Sequence, residues 1–317
     1  MRIIYVFSIL LTLLFGACTS SDPSPQLKQG AQIVTASDSV KLFVKIAGEG
    51  PVCIYVHGGP GQDFLSFEKM GGANLEKCLT MVYFDQRGSG HSQNAKNYGL
   101  DRMVQDIEEL RLKLGVEKVY LLSHSFGGVL AINYALKYPE HVSGMVMANT
   151  IAHLMNPEQL QEQIEYGYHL LKKDTIINET NFKSLIQQAT LIRKELSTAH
   201  LGYKYIANDI NTIIKMDSIE NSYKRTSDFG MTLFMPIMDS SKEQQYPEYF
   251  KDYALLTPKI NIRTLIITGK EDHAVGPDYY KNYKFKDQKI VQLAGSHMLY
   301  YENNKEFISA VCKFVKP

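Results

Sequence analysis

Tryptophan is absent from this 317-residue chain, cysteine occurs only four times, and acidic and basic residues nearly cancel. Without tryptophan, any aromatic pocket must be built from the 20 tyrosines and 14 phenylalanines. Four cysteines in so long a chain are not a disulfide framework, and Cys53, inside an apolar run, reads as a small buried hydrophobe. No Cys-x-x-Cys or His-Glu-x-x-His spacing occurs among the cysteines and nine histidines, so the sequence implies neither a metal site nor a cofactor. With 34 basic and 33 acidic residues, no field attracts nucleic acid. What the chain does have is length and 44% hydrophobic residues, enough for one large α/β domain carrying an insertion.

The longest apolar run, residues 3–15, follows Arg2 and is too short to span a bilayer, which takes about 20 residues. It suits the core of a signal peptide. Its end, Phe15-Gly16-Ala17-Cys18, resembles a bacterial lipobox, in which the cysteine is lipidated and becomes the new N-terminus. Residues 1–18 are therefore expected to be a lipoprotein signal peptide and residues 19–30, polar and rich in serine, a tether. Lipidation at Cys18 would hold the protein to a membrane of the bacterial cell envelope.

Beyond the tether, alternating residues predict two strands around a turn near Ser37-Asp38, then short apolar strands at residues 52–56 and 81–84. Leu100, Met103, Ile107, Leu110 and Leu114 recur at helical spacing, with Asp101 to start the helix and Gly115 to stop it. A strand at 119–122, a helix at 129–138 and a strand at 142–148 follow. Strands alternating with helices mean right-handed crossovers and a mostly parallel sheet. Residues 157–252 carry helical patterns and seven tyrosines but no buried strand, and strand texture resumes at 264–268 and 289–293 before a last helix near 305–314. The expected organisation is an α/β core at 31–150 and 259–317, with a helical cap at 151–258 over the site.

Ser123-His124-Ser125-Phe126-Gly127-Gly128 carries the chemistry. A serine between a buried strand and a helix, flanked by small residues two before and two after, reads as a nucleophile elbow. Gly127 supplies the second small residue, while Ser123 stands where glycine is usual. A serine hydroxyl needs a base, and the base an orienting carboxylate. In the hydrolases built on such elbows the order is serine, acid, histidine. Asp272 follows the strand ending at Thr268, with Glu271 as the fallback acid, and His297 follows the strand ending at Leu293. The oxyanion would be met by the N–H groups of Phe126 and of Gly59, in His57-Gly58-Gly59-Pro60-Gly61. That loop lacks the Gly-Lys-Ser/Thr ending of a phosphate loop.

Together with Asp85-Gln86-Arg87-Gly88-Ser89-Gly90-His91-Ser92, these blocks resemble the prolyl aminopeptidase (proline iminopeptidase) branch of the α/β-hydrolases. The likeness covers residues 36–150 and 259–317. It implies a triad of Ser125, Asp272 and His297, an oxyanion hole at Gly59 and Phe126, and release of N-terminal residues, proline among them, from short peptides. It also implies a cap carboxylate for the substrate ammonium, for which Glu165, Glu195, Glu220 and Glu243 are the candidates. Many members carry Gly-Gly-Ser-Trp-Gly at the elbow, where this chain has His124 and Phe126 around Ser125. An esterase or other carbonyl hydrolase is the second reading, and a non-catalytic binding protein the third.

Overall fold

The computed structural model describes residues 27–175, 177, 181–239 and 241–316. The expected lipobox, with Cys18, and most of the expected tether lie outside them. Strands β1 (Gly30–Thr35) and β2 (Lys41–Ala47) form the opening hairpin, and β3 (Val52–Val56) leads through helix α1 (Leu65–Lys69) to β4 (Thr80–Phe84). Helix α2 (Leu100–Leu114), β5 (Val119–Ser125), α3 (Gly127–Lys137) and β6 (Val142–Thr150) complete the first part of the core. Four helices follow, α4 (Pro157–Leu170), α5 (Phe182–Thr198), α6 (Ile210–Glu220) and α7 (Asp228–Met238). The chain then returns through β7 (Thr264–Gly269), β8 (Gln288–Leu293), α8 (Leu299–Glu302) and α9 (Asn304–Val315).

The strands form one sheet in the order β1-β2-β4-β3-β5-β6-β7-β8. Every pairing from β4 to β8 is parallel, while β1-β2 and β2-β4 are antiparallel. The central strands are near-continuous apolar runs because both faces are covered. Ile54, Val56, Val82, Phe84, Leu121, Met145 and Met147 point to the face packed by α2 and α3. Cys53, Tyr55, Met81, Tyr83, Leu122, Val146 and Ala148 point to the face packed by α1, α8 and α9. Helix α2 begins after Gly99, with Asp101 in its first turn rather than at its cap, and Gly115 ends it in the left-handed conformation.

The helices between β6 and β7 cover the carboxyl ends of the strands in two ways. α4 and α5 make small cores of their own, around Leu160, Ile164, Leu185 and Ala189 and around Ile192, Leu196 and Tyr205. α7 packs on the main core through Phe229 and Leu233. Its Gly230 lies so close to the 57–61 loop that a Cβ there would stand 2.5 Å from the Pro60 carbonyl oxygen.

One expectation from composition fails. Cys78 and Cys312 form a disulfide across 234 residues of sequence. Each looks isolated in the chain, but α9 closes the fold beside the turn that carries Cys78. Cys53 is free and buried, as an apolar strand residue should be.

Candidate active site

Ser125 ends β5 and has φ 53°, left-handed backbone that is unusual for a side-chain-bearing residue. Such a turn works only if its neighbours are stripped of bulk. A Cβ at Gly127 would lie 2.1 Å from the Val56 carbonyl oxygen, and one at Gly58 would lie 2.7 Å from the Ser125 Cβ. Ser123 fits where glycine is usual because its hydroxyl turns into the sheet and donates to the Val146 carbonyl at 3.2 Å. Ser125 itself opens into a cavity of about 440 Å³ between the sheet and the cap, shared with Gly59, Ile151, Leu154 and Phe234.

The candidate acid and base come from the loops after β7 and β8. Asp272 is buried and accepts a hydrogen bond from His297 Nδ1 at 3.0 Å through Oδ2. Its other oxygen accepts the N–H groups of Ala274 and Val275, at 3.0 and 3.1 Å. Both carboxylate oxygens are thereby fixed, and the His297 ring has one orientation and one tautomer, with Nε2 left to act as a base. Glu271, the fallback acid, is committed elsewhere: its carboxylate accepts the Gly295 N–H at 2.5 Å.

The 57–61 loop is held by the block at 85–92. Gln86 N–H donates to His57 Nε2 at 2.9 Å, so the proton on the His57 ring sits on Nδ1 and donates to the Gly58 carbonyl at 2.8 Å. The Gln86 side chain donates to the His57 carbonyl at 2.8 Å. Arg87 is completely buried and paired with Asp106 and Asp38. Asp85 accepts the N–H groups of Phe64 and His91. This block braces the loop that presents Gly59, which has φ 117°. Phe126 caps α3 with its ring buried against Phe229 and Tyr249, leaving its backbone at the helix start beside Ser125.

Several residues that matter here carry no motif. Asn149, at φ 45°, donates through its side-chain amide to the carbonyls of Ser296 (2.8 Å) and His297 (3.1 Å) and accepts the Gly269 N–H at 2.8 Å. It ties the ends of β6 and β7 to the loop carrying His297. His124 Nε2–H donates to the same His297 carbonyl at 3.0 Å. Burial, with help from His297, pushes the His124 imidazole down to about 3, so it stays neutral. From the cap, Gln159 and Gln163 both donate to the Ala274 carbonyl, at 2.5 and 2.6 Å, and Glu162 pairs with His273 at 2.6 Å. Tyr166 stacks on the His273 ring at 3.4 Å. α4 therefore clasps the two residues that follow Asp272.

The four cap carboxylates do not converge. Glu165 and Glu243 are exposed, and Glu195 pairs with Lys173 at the surface. Glu220 is buried and pairs with Arg225 at 2.5 Å, and Arg225 also reaches buried Asp63 at 3.3 Å. Burial holds the Glu220 carboxyl above its usual range against the pull of Arg225, and its Oε1 has no hydrogen-bond partner among the described residues.

The alpha/beta hydrolase fold family model matches residues 51–304. The chain belongs to that family. Proline iminopeptidase from Saccharolobus solfataricus is 26% identical over 293 residues, 87% of each chain. That of Elizabethkingia meningoseptica is 25% identical over 301 residues, covering 90% of this chain and 96% of its own. Among solved structures, a proline iminopeptidase-related protein from Thermus thermophilus superposes with a TM-score of 0.69 at 20% identity, over 90% of this chain and 97% of its own. An esterase from Exiguobacterium antarcticum gives 0.64 at 19% identity, over 92% and 100%. At these identities the solved structures speak for the fold, which this hydrolase shares.

Proposed function

We propose that this hydrolase is a serine aminopeptidase that releases N-terminal residues, proline among them, from short peptides. The observation that carries the catalytic part is the Asp272–His297 hydrogen bond, in the loops facing a serine held in the left-handed turn. Ser125 Oγ attacks the scissile carbonyl while His297 Nε2 takes its proton, and Asp272 steadies the imidazolium. The N–H groups of Gly59 and Phe126 receive the oxyanion. His297 then returns the proton to the departing amine, and water, activated by the same base, releases the acyl group from Ser125. The peptidase part draws on the proline iminopeptidase relatives and on Glu220, whose free, buried oxygen suits a substrate ammonium better than the three exposed alternatives.

Esterase action is the second reading, favoured by the walls of the cavity: none of the four cap carboxylates lines it. Prolyl and alanyl naphthylamides assayed beside short-chain nitrophenyl esters separate the two. The aminopeptidase reading expects amide turnover that is lost in Ser125→Ala and weakened when the substrate amine is acetylated. Ester turnover with indifference to acetylation would overturn it. We also propose attachment to the cell envelope through lipid on Cys18, for which Cys18→Ser should abolish incorporation of labelled palmitate.

A further inference from the structure

The cap wall of the cavity bears four polar side chains, Gln159, Gln163, Arg193 and Tyr205. Three are spent within the protein. Both glutamines donate to the Ala274 carbonyl, and the Tyr205 hydroxyl donates to the Gln163 backbone carbonyl at 2.6 Å. Arg193 differs. Its guanidinium donates to Gln163 Oε1, and no carboxylate among the described residues pairs with it.

That is unusual within this molecule. Arg87, Arg102, Arg111 and Arg225 each have a carboxylate partner. Arg263 uses the Phe314 carbonyl and ring. Arg193 is exposed as a residue, yet it lines the cavity wall, and desolvation there depresses the pKa of its guanidinium from the ordinary value. An arginine remains charged under such pressure. The cavity that holds the serine is therefore also lined by a cation with unused N–H donors, beside the apolar side chains of Ile151, Leu154, Leu160 and Phe234.

We propose that Arg193 reads a carboxylate on the substrate, making this hydrolase selective for small carboxylate-bearing substrates whose carboxylate lies away from the reacting carbonyl. A planar guanidinium takes a carboxylate through paired N–H donors, and a partly dehydrated site strengthens that pairing. The inference rests on the reading of Ser125 as the nucleophile. For an aminopeptidase the carboxylate is the free C-terminus of a dipeptide, and longer or amidated peptides lose it. For an esterase it is the free acid of a dicarboxylic hemiester.

The test uses matched pairs: alanyl-alanine against its C-terminal amide, and monomethyl glutarate against methyl butyrate. Each kcat/KM ratio is taken within one protein preparation, so partial misfolding of a variant cancels. The wild type should favour the carboxylate by roughly tenfold to a hundredfold, the range of a charged hydrogen bond. Arg193→Gln should bring the ratio close to one, and Arg193→Lys should retain part of it. Glutarate should also slow labelling of Ser125 by a fluorophosphonate in the wild type and not in Arg193→Gln, a readout that needs no turnover. Turnover of the ester pair alone, with the preference intact, refutes the aminopeptidase reading and leaves this one standing. A wild-type ratio near one, a preference that survives Arg193→Gln, or labelling indifferent to glutarate overturns the proposal.

Discussion

Removing the Asn149 side chain should loosen the site and destabilise the fold together. Its amide makes three buried hydrogen bonds, to Ser296 O, His297 O and Gly269 N–H. Truncation leaves the Ser296 carbonyl and the Gly269 N–H without this partner and the His297 carbonyl with His124 alone, and an unsatisfied buried group costs about 1–3 kcal/mol. Water admitted to the gap recovers part of that, so the net loss is put at about 3 kcal/mol, near the low end of the sum.

The backbone must be separated from the side chain. Asn149 sits at φ 45°, where alanine is strained by about 1–2 kcal/mol and glycine is not. Asn149→Gly thus reports the hydrogen bonds, with a small addition from glycine's larger unfolded-state entropy, and the further loss in Asn149→Ala reports the strain. For a domain of this size about 3 kcal/mol corresponds to a Tm lower by roughly 6–12 °C. Urea unfolding at equilibrium, with kcat on the best substrate beside it, is the assay. Both variants should lose kcat more than they change KM, because the loop loosened carries His297, whose carbonyl keeps only the His124 bond. If Asn149→Gly costs less than about 1 kcal/mol and leaves kcat intact, the three bonds do not hold the catalytic loops together.

Three further perturbations test other parts of the structure. Ser125→Ala and His297→Ala should each lower kcat by about a million-fold, and Asp272→Asn by about ten-thousand-fold; Glu271→Gln, which disturbs only the Gly295 contact, should cost far less. A tenth of wild-type activity in Ser125→Ala would refute the nucleophile. The folded protein keeps His124 neutral down to about pH 3, whereas in the unfolded chain it titrates near its ordinary 6.5. The unfolded state therefore binds the extra proton between those values, and stability is lost as pH falls through this window, by up to about 1.4 kcal/mol per unit. Between pH 7.5 and 5, His124→Gln, which can still donate to the His297 carbonyl, should lose roughly 2 kcal/mol less than the wild type, and equal losses would refute the assignment. Reducing the Cys78–Cys312 disulfide, or replacing both cysteines with alanine, should lower unfolding stability by about 2–4 kcal/mol. A urea midpoint unmoved by reductant would show that the disulfide adds nothing.

The fold was largely legible because its signals are local. Apolar runs of four to seven residues, each ending in a glycine-bearing or polar loop, marked β3, β4, β6 and β7 within two residues of their observed bounds and the first four residues of β5, which runs three residues further, to Ser125. The chain order of Ser125, Asp272 and His297 placed the acid and base in loops that the sheet does bring together, at 3.0 Å. The disulfide was not legible, since neither cysteine carries spacing information and only tertiary packing pairs them across 234 residues. Nor was Arg193, a single cation on one helix that resembles every surface arginine until the cavity is seen around it.

The residues that sequence reasoning missed act through a backbone atom or a neighbouring side chain. Asn149 and His124 meet at one atom, the His297 carbonyl oxygen, one from the end of β6 and the other from inside the elbow. Gln159 and Gln163 meet at another, the Ala274 carbonyl oxygen, from the cap. A carbonyl can be satisfied by any donor from any direction, so such contacts leave no spacing rule for a sequence to display. They nevertheless set the geometry that the motif residues need. The Asp272–His297 pair is fixed from the core side by Asn149 and His124 and from the cap side by α4. The same Gln163 that braces the acid loop also carries Arg193 on its Oε1. A carboxylate drawn to Arg193 would thus pull on the residue that positions the loop of the catalytic acid. Gln163→Leu should accordingly impair carboxylate selectivity and kcat together. A loss confined to either one would show that substrate reading and acid positioning are independent.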